Sequence, residues 1–230
     1  MEVLKFITIH ADNMAELISF LLAVWAYPYL RLPYTKWLPV FLGFIFVSET
    51  ATNLAPVGFH VTYLSLAIQA VYYGYIFYEL ASTRKIRISI LVFVIGIVLA
   101  YSFSYIFLDT TRWYMFNFMR ITMIFDLILT IIALNYLYRW SLLDANIFFV
   151  QEPSVWIAFG VVIFFSGYNI AVALYPYIIK QNLNVFGLRL YNLIPRLLSV
   201  VLYSCFSVAI VLYRRRELAV MNNSPGECAY

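Results

Sequence analysis

Long runs of apolar residues, separated by short polar segments, fill almost the whole chain. A helix needs about 20 mostly apolar residues to cross the hydrocarbon core of a bilayer. Seven segments meet or approach that length, and they lie at Met14–Leu30, Leu38–Leu54, Val61–Leu80, Ile86–Leu108, Trp113–Tyr138, Ser154–Ile179 and Leu188–Tyr213. The pattern predicts an all-α fold, a polytopic membrane bundle of seven transmembrane helices. It places the transmembrane domain at residues 1–213 and a short polar cytoplasmic tail at 214–230.

The composition excludes an ordinary soluble domain. Hydrophobic residues make up 64% of the chain and charged residues 11%, whereas soluble domains carry roughly 25% charged residues. The net charge of +4 does not indicate nucleic-acid binding, because the basic residues lie in short segments between the apolar runs. Of the two cysteines, Cys205 falls in a late apolar segment and Cys228 in the tail, so no disulfide framework is indicated.

The distribution of lysine and arginine predicts the orientation in the membrane. Nine of these residues fall on one predicted side of the bundle, namely Arg31, Lys36, Arg84, Lys85, Arg87, Arg139, Arg214, Arg215 and Arg216. Four fall on the other side, namely Lys5, Arg112, Lys180 and Arg189. Since cytoplasmic loops carry the excess of basic residues, the N-terminus is predicted outside and the C-terminus in the cytoplasm of a bacterial inner membrane. The first apolar segment lacks a basic leader and is expected to remain as an anchor.

Ionisable side chains inside a membrane span are costly, so each one is a candidate site residue. The predicted spans contain Glu16, Glu49, Arg120, Asp126 and Arg196, with Glu79 close to a cytoplasmic end. At about 1.5 Å per residue, Glu49 and both arginines lie in the outer half, Glu16 lies near the outer end, and Asp126 lies near the midplane. One interpretation is an outer-half polar cavity where the arginines bind a small or anionic ligand. The other is a structural ion pair between Glu49 and an arginine, with no ligand.

Two asparagines extend this polar cluster along the same helix faces. Asn192 lies four residues before Arg196, and Asn53 lies four residues after Glu49. Residues four apart are neighbours on a helix surface, which favours a localised polar patch. We therefore expect Glu49 to face the bundle interior and to contact Arg120 or Arg196.

Several membrane-protein chemistries lack the residues that they need. The lysines are Lys5, Lys36, Lys85 and Lys180, all at predicted helix ends or loops, so none is placed to hold retinal as a Schiff base. The sequence has no metalloprotease, nucleophile-elbow or phosphate-loop motif and no spaced cysteine and histidine set for zinc. No catalytic residue, metal ion or cofactor is predicted.

Two segments carry a resemblance to a known family. The acid-bearing stretch Phe46-Val47-Ser48-Glu49 is one, and the run from Glu152 through Pro153, Trp156 and Gly160 to Gly167 is the other. Over nearly its whole length the chain resembles a family of small seven-helix membrane proteins from Bacteroidota. Members are often encoded beside histidine kinases or response regulators, which implies a signalling or accessory role. The family has no established catalytic residues, so the resemblance implies none here.

The leading hypothesis is a non-enzymatic inner-membrane protein with a sensory or signalling-accessory role. Its expected partners are the lipid bilayer and a membrane or cytoplasmic signalling protein, reached through helix ends, the Arg139–Pro153 loop or the Arg214–Arg216 stretch. An alternative is a small-solute transporter, in which Asp126 is the candidate for coupling. A second alternative is a membrane-embedded lipid-modifying enzyme.

Overall fold

The computed structural model describes residues 2–54, 58–107, 111–142, 151–185 and 188–223, with side chains over 10–52, 64–104, 119–142, 151–185 and 188–222. The helices are α1 (Glu2–Ala26), α2 (Pro33–Lys36), α3 (Leu38–Leu54), α4 (Gly58–Leu80), α5 (Arg84–Phe107), α6 (Thr111–Leu142), α7 (Pro153–Lys180) and α8 (Leu190–Asn223). Two short strands, β1 (Asn184–Val185) and β2 (Leu188–Arg189), form an antiparallel pair between α7 and α8. The described chain is therefore almost entirely helical, as predicted, and the short hairpin is an element that the sequence analysis did not predict.

Each predicted apolar segment overlaps one long helix, but several helix ends differ from the prediction. α1 begins at Glu2 and ends at Ala26, where a 3-10 turn containing Pro28 follows. α8 begins at Leu190 because Leu188 pairs with Val185 in the hairpin. The same helix continues beyond Tyr213 to Asn223. Hydropathy marks only the most apolar part of a helix, whereas α1 begins before its predicted apolar segment and α8 ends after its own.

Among the residues that the structure describes, four helices are long and apolar enough to cross a membrane. The qualifying stretches lie within α5, α6, α7 and α8, at Arg84–Ser104, Met119–Leu142, Pro153–Lys180 and Leu190–Asn222. Such helices satisfy their backbone hydrogen bonds internally, which the hydrocarbon core of a bilayer requires. The described chain is therefore a helical bundle of the kind found in membrane proteins.

The long helices form a closed ring with one helix outside it. α1 packs against α3 and α8, α3 against α4, α4 against α6, α6 against α7, and α7 against α8. α5 packs against α4 and α6 from outside that ring of six. The centre is aromatic: Tyr73 lies 5.3 Å from Phe165, which lies 5.9 Å from Phe125, measured between ring centroids. Both contacts are edge-to-face, an arrangement that adds stability beyond area burial.

Glycines allow α7 and α8 to approach closely. A Cβ atom at Gly160 would lie 2.8 Å from the Cβ of Cys205 on α8. A Cβ atom at Gly167 would lie 2.7 Å from Cδ2 of Leu198. Without a hydrophobic drive between helices in lipid, close packing of small residues is a main source of helix association. The position of α8 in the ring therefore depends on these two glycines.

We expect Gly160→Ala to lower the free energy of unfolding by about 1–3 kcal/mol, the usual cost of overpacking. The effect should exceed that of Gly167→Ala, because Leu198 can move its side-chain end whereas the Cβ of Cys205 is tied to the α8 backbone. Gly96→Ala is the matched control, since no atom lies within 4 Å of the added Cβ. Thermal unfolding in detergent measures all three. A Gly160→Ala variant as stable as Gly96→Ala would contradict the close α7–α8 contact.

Candidate functional site

A polar cavity of about 480 Å³ lies inside the ring of helices. All six ring helices contribute described lining residues, whereas α5 contributes none of them. The cavity lies toward the end where α3 ends and α8 begins, with Thr52 and Tyr191 among its walls. Its volume falls within the range of small-molecule pockets.

Four of the residues selected from sequence line this one cavity. They are Glu49 on α3, Asp126 on α6, and Asn192 and Arg196 on α8. Asn192 and Arg196 share a helix face, as their spacing of four residues predicts. The structure therefore brings together three helices that are distant in sequence and gives each a polar group at the same site.

Arg120 and Glu16, which were also selected, are not among the described lining residues. Arg120 is an exposed residue of α6, and its rotation about the helix accounts for this. Thr122 and Asp126 of α6 line the cavity, and a position two residues before Thr122 is turned about 200° around the helix. The side chain of Asn53 lies outside the described residues.

Arg196 forms an ion pair with Asp12 of α1, with 3.7 Å between Nε and Oδ2. Both side chains are largely buried, with 28% of Arg196 and 13% of Asp12 exposed. The sequence prediction missed Asp12, because it began the first span at Met14. Asp12 lies four residues before Glu16 on the same helix face, which is the signal that would have identified it.

A second pair consists of two acids. The carboxyl group of Glu16 on α1 lies beside that of Glu49 on α3. Glu16 is 1% exposed, and the hydroxyl group of Tyr203 on α8 also lies near its carboxyl group. Two adjacent carboxylates repel each other unless a proton or a counter-charge lies between them. The expected contact between Glu49 and an arginine stays a prediction, and the group described beside Glu49 is an acid.

Hydroxyl and amide groups connect α3 to α4 across the wall of the cavity. The Oγ atoms of Ser48 and Ser65 lie 3.3 Å apart, and Gln69 donates a hydrogen bond to Ser65 at 3.4 Å. These groups exchange hydrogen bonds easily and suit a polar solute. Within the described residues, no cluster of three or more His, Cys, Asp or Glu side chains could hold a metal ion.

A second cavity, of about 550 Å³, lies at the opposite end of α4, α5 and α6. Its described walls are mainly apolar, with Glu79 and Arg139 as the charged members. Arg139 donates a hydrogen bond to Ser82 at this end. Of the ionisable span residues selected from sequence, Glu79 is the one that lines this cavity among the described residues.

Comparison with known proteins does not narrow the function. No family model, curated protein or solved structure matches the chain. The functional assignment therefore depends on the polar cavity and on its charged side chains.

We expect Arg196 to be coupled energetically to Asp12. A double-mutant cycle with Asp12→Asn and Arg196→Gln should give a coupling energy of about 1–3 kcal/mol, above the value for exposed pairs, because both groups are largely buried. Thermal unfolding of the four proteins in detergent at fixed ionic strength measures it.

A parallel cycle with Glu49→Gln and Arg196→Gln provides the comparison. A larger coupling to Glu49 than to Asp12 would contradict the ion pair of the structure and would support the pairing predicted from sequence.

Proposed function

We propose that this chain is a seven-span integral protein of a bacterial inner membrane that binds a small polar solute in the cavity and has a sensory or signalling-accessory role. The observation that carries the proposal is a cavity inside an apolar bundle, lined by residues from six helices. Four of the lining side chains carry a carboxyl or guanidinium group, namely Asp12, Glu49, Asp126 and Arg196. Charged groups within membrane bundles commonly mark sites of ligand or ion binding. A solute that contacts several helices favours the bundle arrangement to which it binds best.

Helix α8 offers a route from the cavity to the opposite end of the bundle. It is continuous from Leu190 to Asn223, so it contains Arg196 at the cavity and Arg214 at the far end. The guanidinium of Arg214 lies 3.8 Å from the ring centroid of Trp25 on α1. Two ion pairs near that end, Arg31–Glu217 at 3.3 Å and Arg216–Glu152 at 3.1 Å, also involve α8. A shift of α8 on ligand binding would change these contacts, where a signalling partner would detect it.

A small-solute carrier is the second candidate, and the position of Asp126 favours it. This acid is 2% exposed and lines the same cavity as Glu49. Buried acids within membrane bundles often take part in ion-coupled movement of solutes. The two candidates share the binding site and differ in whether the solute crosses the membrane.

We expect the cavity end of the bundle to face outward and the end of α8 to be cytoplasmic. In a background of Cys205→Ala and Cys228→Ser, a membrane-impermeant maleimide should label Gln181→Cys in intact cells. It should label Asn222→Cys only after the cells are permeabilised. Both positions are exposed, so a reagent on the same side of the membrane can reach them. The expected orientation follows from the excess of lysine and arginine on the cytoplasmic side. The reverse labelling pattern would invert the proposed topology.

We expect a small polar solute to raise the unfolding temperature of the purified chain, because ligands that bind only the folded state stabilise it. A panel of sugars, amino acids, carboxylates and amines in a nonionic detergent provides the probes. Ser199→Phe, which fills the cavity, should abolish the effect. Ser204→Phe is the control, since Ser204 is exposed on the same helix. If no solute stabilises the chain, the proposed binding function is wrong.

Flux measurements in proteoliposomes then separate the two candidates. The sensory role predicts no saturable uptake of the stabilising solute. Saturable uptake that Asp126→Asn abolishes would contradict the sensory role and establish a carrier.

A further inference from the structure

The charge of the described cavity wall is biased toward acids. Three carboxyl groups, those of Asp12, Glu49 and Asp126, face one guanidinium, that of Arg196. The ion pair with Asp12 already provides that guanidinium with a counter-charge. Glu49 and Asp126 are the other two acids of the wall. Glu16, whose carboxyl group lies beside that of Glu49, adds a further acid next to the lining residues. An anion entering the cavity would meet this excess of acidic groups.

Asp126 supplies an independent sign of a missing partner. Its side chain is 2% exposed, it lines the cavity, and its Oδ2 atom has no hydrogen-bond partner in the described structure. The hydroxyl of Thr130 does not help, since it donates to the backbone carbonyl of Asp126. A buried carboxyl oxygen without a donor is costly, and a ligand that donates hydrogen bonds or carries positive charge would remove that cost.

Aromatic rings form another part of the same wall. Phe164 and Tyr168 of α7 line the cavity and stack with 6.1 Å between their centroids. Phe165 and Tyr191 are also lining residues. Aromatic faces attract alkylated ammonium groups through cation–π interactions. They offer much less to a bare divalent cation, which prefers several oxygen ligands, and the described residues contain no such ligand cluster.

We infer that the ligand of this cavity is a small organic cation, an alkylammonium compound whose charge lies near Glu49 and Asp126 and whose alkyl groups contact the aromatic wall. The inference rests on the proposed binding function and names the class of ligand. An anion was the expectation when Arg120 and Arg196 were placed together by depth. Of these two, only Arg196 belongs to the described lining, and it is paired with Asp12.

Three probes of nearly the same shape but different charge test the inference on the full chain in nonionic detergent. They are tert-butylammonium, tert-butanol and pivalate, with tetramethylammonium as a quaternary probe. Isothermal titration at fixed ionic strength should show that each ammonium probe binds at least about tenfold more tightly than tert-butanol or pivalate, because charge complementarity discriminates among ligands of equal shape. Equal binding of tert-butanol, or tighter binding of pivalate, would overturn the cation assignment.

Charge-neutralising variants locate the site. Asp126→Asn should weaken ammonium binding by at least about tenfold. It should leave the fold intact, because the amide has nearly the same shape and the Oδ2 atom has no hydrogen-bond partner in the described structure. Glu49→Gln should weaken it in the same direction. Glu79→Gln, which makes the same charge change in the second cavity, is the matched control and should leave binding unchanged. Ammonium binding that persists in both Asp126→Asn and Glu49→Gln would overturn the inference.

The outcomes distinguish this inference from the proposed function. An uncharged or anionic solute of the wider panel could stabilise the chain, lose that effect in Ser199→Phe and outcompete the ammonium probes. In that case the binding function stands and the cation assignment is wrong. If no probe or panel solute binds, both are wrong.

Discussion

A carboxyl group is costly in apolar surroundings unless polar groups lie next to it, and this constraint accounts for how the acid-bearing helices are rotated. On α1, Glu16 and Ser19 are buried, whereas Met14, Ile18 and Leu21 are exposed. The acids of α3 and α6 are turned toward the same interior. Because a ring of six helices encloses these groups, each acidic helix can present its apolar side outward and its polar side to one shared cavity.

The two ends of the ring are built differently. At the cavity end, polar side chains surround open space. At the other end, the hydroxyl groups of Tyr34 and Tyr213 are hydrogen-bonded to each other, and Tyr72 donates to the backbone carbonyl of Tyr34 at 3.0 Å. Tyr136 and Ser154 are joined across α6 and α7 at 2.8 Å. Such buried polar contacts specify a single arrangement, so the ring helices are held together at this end, where the second cavity lies between α4, α5 and α6.

The sequence was enough to predict the long helices and part of the cavity, because apolar length and spacings of four residues are local properties. These properties select Glu49 and the Asn192–Arg196 face. They do not select the partner of Arg196, since the pairing with Asp12 requires α1 and α8 to be neighbours. Depth along a helix also places Arg120 level with Arg196, but depth does not define rotation. Adjacency and rotation depend on contacts between distant segments, which one sequence pattern does not contain.

Helix α5 lies outside the ring, and this has a consequence for how its sequence can vary. Its buried side chains include Ile90, Ile97, Tyr101 and Ser104, which follow one helical stripe, whereas most of its exposed positions between Ile88 and Phe103 are apolar. In the proposed membrane-embedded bundle, the bilayer rather than any neighbouring side chain sets the requirement at those exposed positions, and it accepts any residue of sufficient hydropathy. Evolutionary drift in α5 should therefore be fast outside the stripe and slow within it, so its lipid-facing residues would be poor markers of descent.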